Sequence, residues 1–400
     1  MKIGILGNMN NMYFSLARYL ADEGYDCDLL VFDSEPEHFH PGADTFEAIP
    51  LNLTVKHLSW GDAAHFLIKQ RQAATDLQPY SFLIGNGTAP AFVHAAGRVL
   101  DLFIPYGEDL YQFPFVRLVH PLRQLPYLIL AWHQMRGIRQ ASHLLFDKTS
   151  AGFDRIFQRI KYKGTRIVSP PPLLYSKEYE TALSQRQTDN PYFAALQKLR
   201  SGNELLVLQH ARQLWKPFRD RWSMKGNHHL IEGFAKFLTV NPSYSAKLLL
   251  FEYGVDVQRT KKLIDSLGIG EHVVWFPKTV RKNLMTFIQM SNVVVGELEN
   301  PWNTYCVMME TLVMNKPLIH NRDDAYLTDA YPELYPMFQA ASAKDVYEAF
   351  QSILTNKENA LEIGRQGRRW FDKYCVQEPV RLISRLITEK QKRLHAQKSS

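Results

Sequence analysis

The chain has 400 residues with a formal charge of +7, and its 46% hydrophobic and 22% charged content is that of a folded globular protein rather than a disordered one. That length exceeds one ordinary hydrophobic core and suits two domains of roughly 150 to 200 residues each. No apolar run approaches the roughly 20 residues of a membrane span.

Met1-Lys2 leads straight into Ile3-Gly4-Ile5-Leu6-Gly7, too quickly polar for a signal peptide. The three cysteines, Cys27, Cys306 and Cys375, lack metal-ligand spacing, and their odd number argues against a disulfide framework. Both features suit a cytoplasmic protein.

Ile3 to Leu6 read as a buried strand that turns at Gly7-Asn8-Met9-Asn10-Asn11 into a helix over 14–24, with a second strand at Leu29 to Phe32. This is a Rossmann-like opening, but Gly7 is not followed by the further glycines of a dinucleotide fingerprint, so NAD is disfavoured. The alternation continues: a helix over Ala63 to Ala74, a strand over Phe82 to Ile84 ending in Gly85-Asn86-Gly87-Thr88, a helix from Ala91, and a strand over Leu102 to Ile104 ending in Pro105-Tyr106-Gly107-Glu108-Asp109. In an open parallel sheet, ligands bind at the carboxyl ends of strands. The turns at Gly7, Gly85 and Gly107 therefore suit the lining of a cleft, as they also suit ordinary tight turns.

Residues 113–140 interrupt the pattern with aromatic and aliphatic residues interleaved with Arg, His and Pro. Residues 110–170 hold ten Lys or Arg against the two acids Asp147 and Asp154. Such a segment fits an anionic membrane surface or lipid-linked acceptor, or a helical insertion whose arginine stems cover apolar surface. Nucleic acid is the weaker partner, because no nucleic-acid motif accompanies the charge.

A strand at His143 to Phe146, a helix over 150–160 and a strand at Arg166 to Val168 complete the first half. The proline triplet Pro170-Pro171-Pro172 marks a domain junction, giving domains over 1–170 and 171–377 and a C-terminal helix with a basic tail over 378–400. The alternation then restarts. Strands are expected at 205–208, 247–251, 273–276, 293–295 and 316–319, and helices at 191–199, 226–238, 260–267, 283–290 and 343–354. Two Rossmann-like halves imply a cleft between them. The loop after Val295 carries Glu297, Glu299, Asn300, Trp302, Asn303, Thr304 and Tyr305 ahead of a helix containing Glu310.

Arg212 after the first strand of the second half, Lys225-Gly226-Asn227 opening its next helix, and Glu310-Thr-Leu-Val-Met-Asn-Lys-Pro-Leu-Ile together resemble the GT-B glycosyltransferases, most closely the nucleotide-sugar-dependent enzymes of family 4. The resemblance implies an α/β GT-B fold, two Rossmann-like domains with parallel sheets facing each other across a cleft, and a last helix, here Pro379 to Arg393, crossing back to the first domain. It implies transfer of a sugar from a UDP- or GDP-linked donor to a surface glycan, such as a lipopolysaccharide, or to its lipid-linked precursor. The expected course is retention of anomeric configuration with no enzyme nucleophile, metal or other cofactor beyond the nucleotide-sugar co-substrate.

Fixed cations at Arg212 and Lys225 suit a departing nucleoside diphosphate, whose developing negative charge they would stabilise. Glu310 suits the ribose hydroxyls. The resemblance also places Glu297, Glu299, Asn303, Thr304 and Tyr305 at the donor, Asp109 beside a reacting sugar or acceptor hydroxyl, and Gly7, Asn8, Asn86, Tyr106 and Glu108 in the acceptor-side loops. The family carries a glutamate eight positions before the one at Glu310; here Trp302 stands there, and Glu297 or Glu299 is expected to replace it. The alternatives are a nucleotide-sugar epimerase on the same plan and a non-catalytic partner subunit.

Overall fold

The computed structural model describes residues 1–400 apart from 51, 116–120, 148–151, 180–188, 218–222, 302 and 400. Two compact units emerge: Met1–Tyr175 together with Tyr374–Ser400, and Ser176–Lys373. The chain passes into the second unit just beyond the proline triplet.

In the first unit seven strands form one parallel sheet in the order β3-β2-β1-β4-β5-β6-β7. They are β1 (Ile3–Leu6), β2 (Cys27–Phe32), β3 (Thr54–Leu58), β4 (Phe82–Gly85), β5 (Leu102–Phe103), β6 (His143–Leu145) and β7 (Thr165–Ile167). The apolar runs of β1, β2 and β4 are buried throughout because helices cover both faces, as parallel sheets require. Ile5 pairs with Leu29 on one side and Ile84 on the other. The edge strand β3, Thr-Val-Lys-His-Leu, is largely exposed, and its polar residues hid it from the sequence pattern.

Around this sheet lie α1 (Met12–Asp22), α2 (Ala63–Phe66), α3 (Gln70–Leu77), α4 (Ala89–Ala95), α5 (Glu108–Tyr111), α6 (Pro121–Gln140) and α7 (Gly152–Ile160). The helix expected over 63–74 is thus two helices. Asp62 caps the first by accepting from the His65 amide at 2.8 Å, and Ile68 and Lys69 both return to the His65 carbonyl, closing it after a single turn. The segment over 113–140 contributes α6, which packs along α4. A side chain at Gly137 would collide with the Pro90 carbonyl, so glycine sets this close approach.

The second unit has six parallel strands in the order β10-β9-β8-β11-β12-β13. They are β8 (Leu205–Gln209), β9 (Ala246–Glu252), β10 (Val273–Pro277), β11 (Val293–Val295), β12 (Leu318–His320) and β13 (Phe338–Gln339). Its helices are α8 (Phe193–Gly202), α9 (Asn227–Val240), α10 (Val257–Ser266), α11 (Arg281–Met290), α12 (Cys306–Val313), α13 (Asp324–Leu327), α14 (Ala343–Thr355) and α15 (Lys357–Trp370). Leu205, Val207, Phe234, Leu248, Val293 and Phe350 belong to one core beneath α9 and α14.

From α15 the chain runs through a π-helical stretch, Phe371–Gln377, into a last helix, Glu378–Ser399. That helix returns to the first unit, where Ile383 and Ile387 are wholly buried in a core shared with Ile3, Leu16, Leu29 and Phe82. Tyr25 donates its hydroxyl to the Ser384 carbonyl at 3.2 Å, and Lys390 pairs with Asp101.

Each sheet reverses its direction of growth once, between β1 and β4 in the first unit and between β8 and β11 in the second. At such a switch point the flanking loops diverge and open a crevice at the strands' carboxyl ends.

Candidate functional site

In the second unit the switch point gathers the residues that follow β8, open α9 and follow β11. Arg212 lies three residues past Gln209 and is exposed. Lys225 precedes Gly226, whose φ of +65° turns the chain into α9. Any β-carbon at Gly226 would lie 2.9 Å from the Glu299 amide nitrogen, so glycine is needed for the loop after β11 to lie against this turn. The Leu298 amide donates to the Lys225 carbonyl at 3.0 Å, and Asn300 Nδ2 to the Met224 carbonyl at 2.9 Å. Asn227 completes the frame beneath, accepting from the Leu214 amide at 3.0 Å and donating to Gln209 Oε1 at 2.9 Å.

This frame holds Glu297, which is buried, against Lys225 in a direct ion pair through Oε1. Burial pushes the Glu297 carboxyl above the ordinary glutamate range, while Lys225 and then Arg212 pull the other way. Arg212 therefore acts on the same carboxylate. Glu297 Oε2 is buried without a hydrogen-bond partner among the described residues. Of the two glutamates expected to stand in for Trp302, Glu297 is the one that pairs with Lys225; Glu299 is exposed. Trp302 itself lies outside the described residues.

Glu310, four residues into α12, is also buried, and both its oxygens are engaged. His210 Nε2 meets Oε2 at 2.8 Å, and Arg281 Nε donates to Oε1 at 2.9 Å. Burial raises the Glu310 carboxyl, but His210 and Arg281 outweigh it and hold the group below the usual glutamate range. A carboxylate has about four lone-pair sites, and these two contacts occupy two of them. His210 Nδ1 is buried and has no hydrogen-bond partner among the described residues. Neither His210 nor Arg281 was singled out from the sequence. The available signals were their positions, directly after β8 and at the start of α11.

The remaining predicted donor residues build the loop. Tyr305 Oη accepts from the Glu297 amide at 3.0 Å and lies 2.9 Å from His320 Nδ1, which is itself 2.9 Å from the Glu297 carbonyl. Glu297 is thus gripped by its own backbone. Asn303 is fully buried and its carbonyl accepts from Tyr335 Oη at 2.8 Å, while Thr304 is half-buried between these two anchors.

The first unit's switch point is a separate construction. Gly7, with φ of +84°, ends β1 against the Asn86 side chain, which a β-carbon at Gly7 would strike. Asn8 is wholly buried and committed: its Oδ1 accepts from the Phe14 amide at 2.8 Å, and its Nδ2 serves Asn11 Oδ1 and the Phe39 carbonyl. Its amide donates to Glu35 Oε1 at 2.6 Å. Asp109 is equally committed, with Oδ2 accepting from the Gly87 amide at 2.9 Å and Oδ1 from the Tyr106 and Gly107 amides at 3.1 and 3.0 Å. These bonds tie the turn after β4 to the turn after β5, so the carboxylate serves as a loop clasp. Burial nonetheless pushes the Asp109 carboxyl up to about 7. Tyr106 is half-buried beside Gly87, and Glu108 is exposed.

No protein-family model matches the chain, and no curated protein sequence matches it significantly. Solved structures do. Sucrose-phosphate synthase of Thermosynechococcus elongatus superimposes with a TM-score of 0.59 at 16% identity, covering 100% of both chains. HepE of Anabaena, in complex with UDP and glucose, gives 0.58 at 15% identity, again over 100% of both. A Listeria monocytogenes protein provisionally named a UDP-N-acetylglucosamine 2-epimerase gives 0.54 at 11% identity, over 91% of this chain and 90% of its own. At these identities the likeness shows the fold alone, the two-Rossmann GT-B plan.

Proposed function

We propose that the chain is a glycosyltransferase that takes a sugar from a nucleoside-diphosphate donor held in its second unit. The observation that carries this reading is the buried Lys225–Glu297 ion pair at the β8–β11 switch point, whose carboxylate also feels the charge of Arg212. Departure of a nucleoside diphosphate leaves negative charge on the phosphate oxygen as the bond to the sugar's anomeric carbon breaks. The Lys225 ammonium, held by Glu297, and the Arg212 guanidinium beside the same strand end would stabilise that charge, the function a metal ion serves elsewhere. Glu297 keeps the lysine oriented before the donor arrives, and its unpaired oxygen suits a hydroxyl of the transferred sugar.

Glu310 and His210 suit the ribose. Arg281, by neutralising Glu310, makes its burial affordable and adds a third cation near the phosphates. The UDP and glucose in the HepE structure support a UDP-linked donor here as well. The acceptor hydroxyl then forms the new bond to the anomeric carbon with retention, and the departing phosphate takes its proton. The acceptor we assign to the first unit, as a glycan or lipid-linked sugar. Exposed Leu125, Tyr127 and Trp132 on α6, with Arg136 stacked on Trp132 at 4.6 Å, support contact of that unit with an anionic membrane face.

Thermal unfolding with a panel of UDP- and GDP-sugars tests the donor. A ligand at 100 times its Kd adds about 2.7 kcal/mol, which a melting curve resolves easily. If no nucleotide or nucleotide sugar raises the melting temperature, the reading fails. The epimerase-named neighbour of the same fold supports a second reading. Release of an isomerised sugar from its nucleotide without any acceptor would favour it.

A further inference from the structure

Besides the approach of Gly137 to the Pro90 carbonyl, α4 and α6 meet through a pair of histidines. His94 Nδ1 and His133 Nδ1 are 2.8 Å apart, and both rings are half-buried. At that distance one imidazole donates its Nδ1 proton to the lone pair on the other, so at least one of the two rings must stay uncharged. Aromatic groups close the pair in: Phe66 of α2 meets the His133 ring at 5.1 Å, and the Trp132 ring stands edge-on to His94 and His133 at 5.6 and 4.7 Å. Arg136, on the next turn of α6, is the charge that acts on both rings. The other packed helices turn their charges elsewhere. On α2, His65 faces Asp62 at 2.9 Å; on α3, Asp76 accepts from the Trp60 indole at 2.8 Å and Arg71 is exposed. On α7, Asp154 pairs with Arg166 at 3.3 Å, Arg159 lies over the Phe115 ring and Arg155 is exposed. No carboxylate among the described residues therefore offsets a second positive charge on the pair.

The next residue, Gln134, is wholly buried and serves a different contact. Its Nε2 donates to the Gly87 carbonyl at 2.8 Å and to the Asp109 carbonyl at 3.1 Å, and its Oε1 accepts from the Ala91 amide at 3.1 Å. One turn of α6 thus fastens both α4 and the turns after β4 and β5. We infer that His94 and His133 form an acid-sensitive switch, holding α6 against α4 while at most one ring is charged and releasing it, with the Gln134 anchor of the two turns, when both are. The second proton takes the lone pair that accepted, leaving two N–H groups face to face and, with Arg136, three positive charges together. Burial and then Arg136 hold His94 below the ordinary histidine range, and burial, then His94 and Arg136, do the same for His133. The unfolded chain therefore takes up these protons first as pH falls. The pair's contribution is whole above about pH 6.5 and is lost as pH falls through the folded values. This switch goes beyond the glycosyltransferase reading and does not depend on it.

The test is a pH titration of the full chain labelled with nitrogen-15 histidine and followed by NMR, with the two rings assigned from His94→Gln and His133→Gln. In the wild type they should titrate as a coupled pair, in two steps more than about one pH unit apart, and removal of either ring should return the other to a single step at higher pH. Arg136→Gln should move the second step upward too, which a purely packing role would not do. Hydrogen exchange read by mass spectrometry follows the consequence. Corrected for the intrinsic rate, protection over residues 85–95 and 106–112 should fall about tenfold or more from about pH 7.5 to about pH 5 in the wild type. It should not fall in His133→Gln, where Asp109 titrates in the opposite sense. Independent titration of the two rings overturns the pair. Coupled titration with unchanged protection overturns the switch. Should a glutamine variant fail to fold, the exposed Arg136→Gln still identifies both rings by the shift it causes, and the absence of that shift counts against the switch.

Discussion

Replacing Arg281 and Glu310 singly and together measures how strongly the second unit depends on its buried ion pair. Their side chains are 9% and 5% exposed, with Nε 2.9 Å from Oε1. Arg281→Met leaves Glu310 with His210 alone; Glu310→Leu leaves a buried cation that has lost its carboxylate. Breaking a buried pair by removing one member costs about 3 to 5 kcal/mol, because the survivor's desolvation is no longer compensated. For the roughly 200-residue second unit, at about 2 to 4 °C per kcal/mol, that is a fall in melting temperature of about 6 to 20 °C for each single variant. The double variant should recover most of this loss, since an apolar pair of similar volume is often neutral or stabilising there. Scanning calorimetry on the three variants supplies the cycle. Single variants that each cost under about 1 kcal/mol would refute the reasoning, because the pair would then behave as a solvent-screened surface contact.

Arg212→Ala and Lys225→Ala should each lower transfer from the donor by about 2 to 4 kcal/mol in activation free energy while leaving acceptor KM nearly unchanged; steady-state kinetics with wild-type turnover in either would remove that residue from the anion clamp. For Asp109 the folded carboxyl is held at about 7, above its ordinary value, so its contribution to stability is fully present below about pH 4 and is lost as pH rises through 7. Urea unfolding from pH 5 to 8 should show this decline in the wild type, and Asp109→Asn should flatten it. Because Glu310 is held below its ordinary range, its contribution has the opposite sign: present above about pH 4.3 and lost on further acidification. Acid unfolding of Glu310→Gln should therefore depend less on pH below that point than the wild type. Ile387→Ala, in the C-terminal helix, should cost the first unit about 2 to 5 kcal/mol by opening a cavity under β1 and α1, measured by the same unfolding curves.

Most strands were legible in the sequence because parallel strands covered on both faces are continuous apolar runs: Ile3–Leu6, Leu205–Gln209 and Val293–Val295 could hardly read otherwise. The edge strand Thr54–Leu58 escaped for the converse reason. The local turn at Lys225-Gly226 was legible because its glycine has a φ that favours glycine. Interactions distant in sequence were not. Arg281 and His210 reach Glu310 across 29 and 100 positions, a relation set by sheet order rather than by spacing. Glu35 was hidden differently: it sits in Asp-Ser-Glu-Pro-Glu, which has the composition of a solvated loop, and only the fold carries its side chain under Gly7. The loop after β11 could be read as a site, but not which glutamate would turn inward.

The return of the last helix to the first unit has a bearing on how this protein is made. Ribosomes deliver the chain from its amino end, and domains ordinarily fold in that order as they emerge. Here Ile383 and Ile387 belong to the core around Ile3 and Leu29, so the first unit to be translated cannot close its core until Ile387 has been made. All of Ser176–Lys373 emerges before that helix. The second unit therefore can finish folding first, while β1 and α1 wait with an apolar groove open to water. That exposes the apolar surface of β1 and α1 throughout synthesis of the second unit and makes emergence of the last helix the step that covers it.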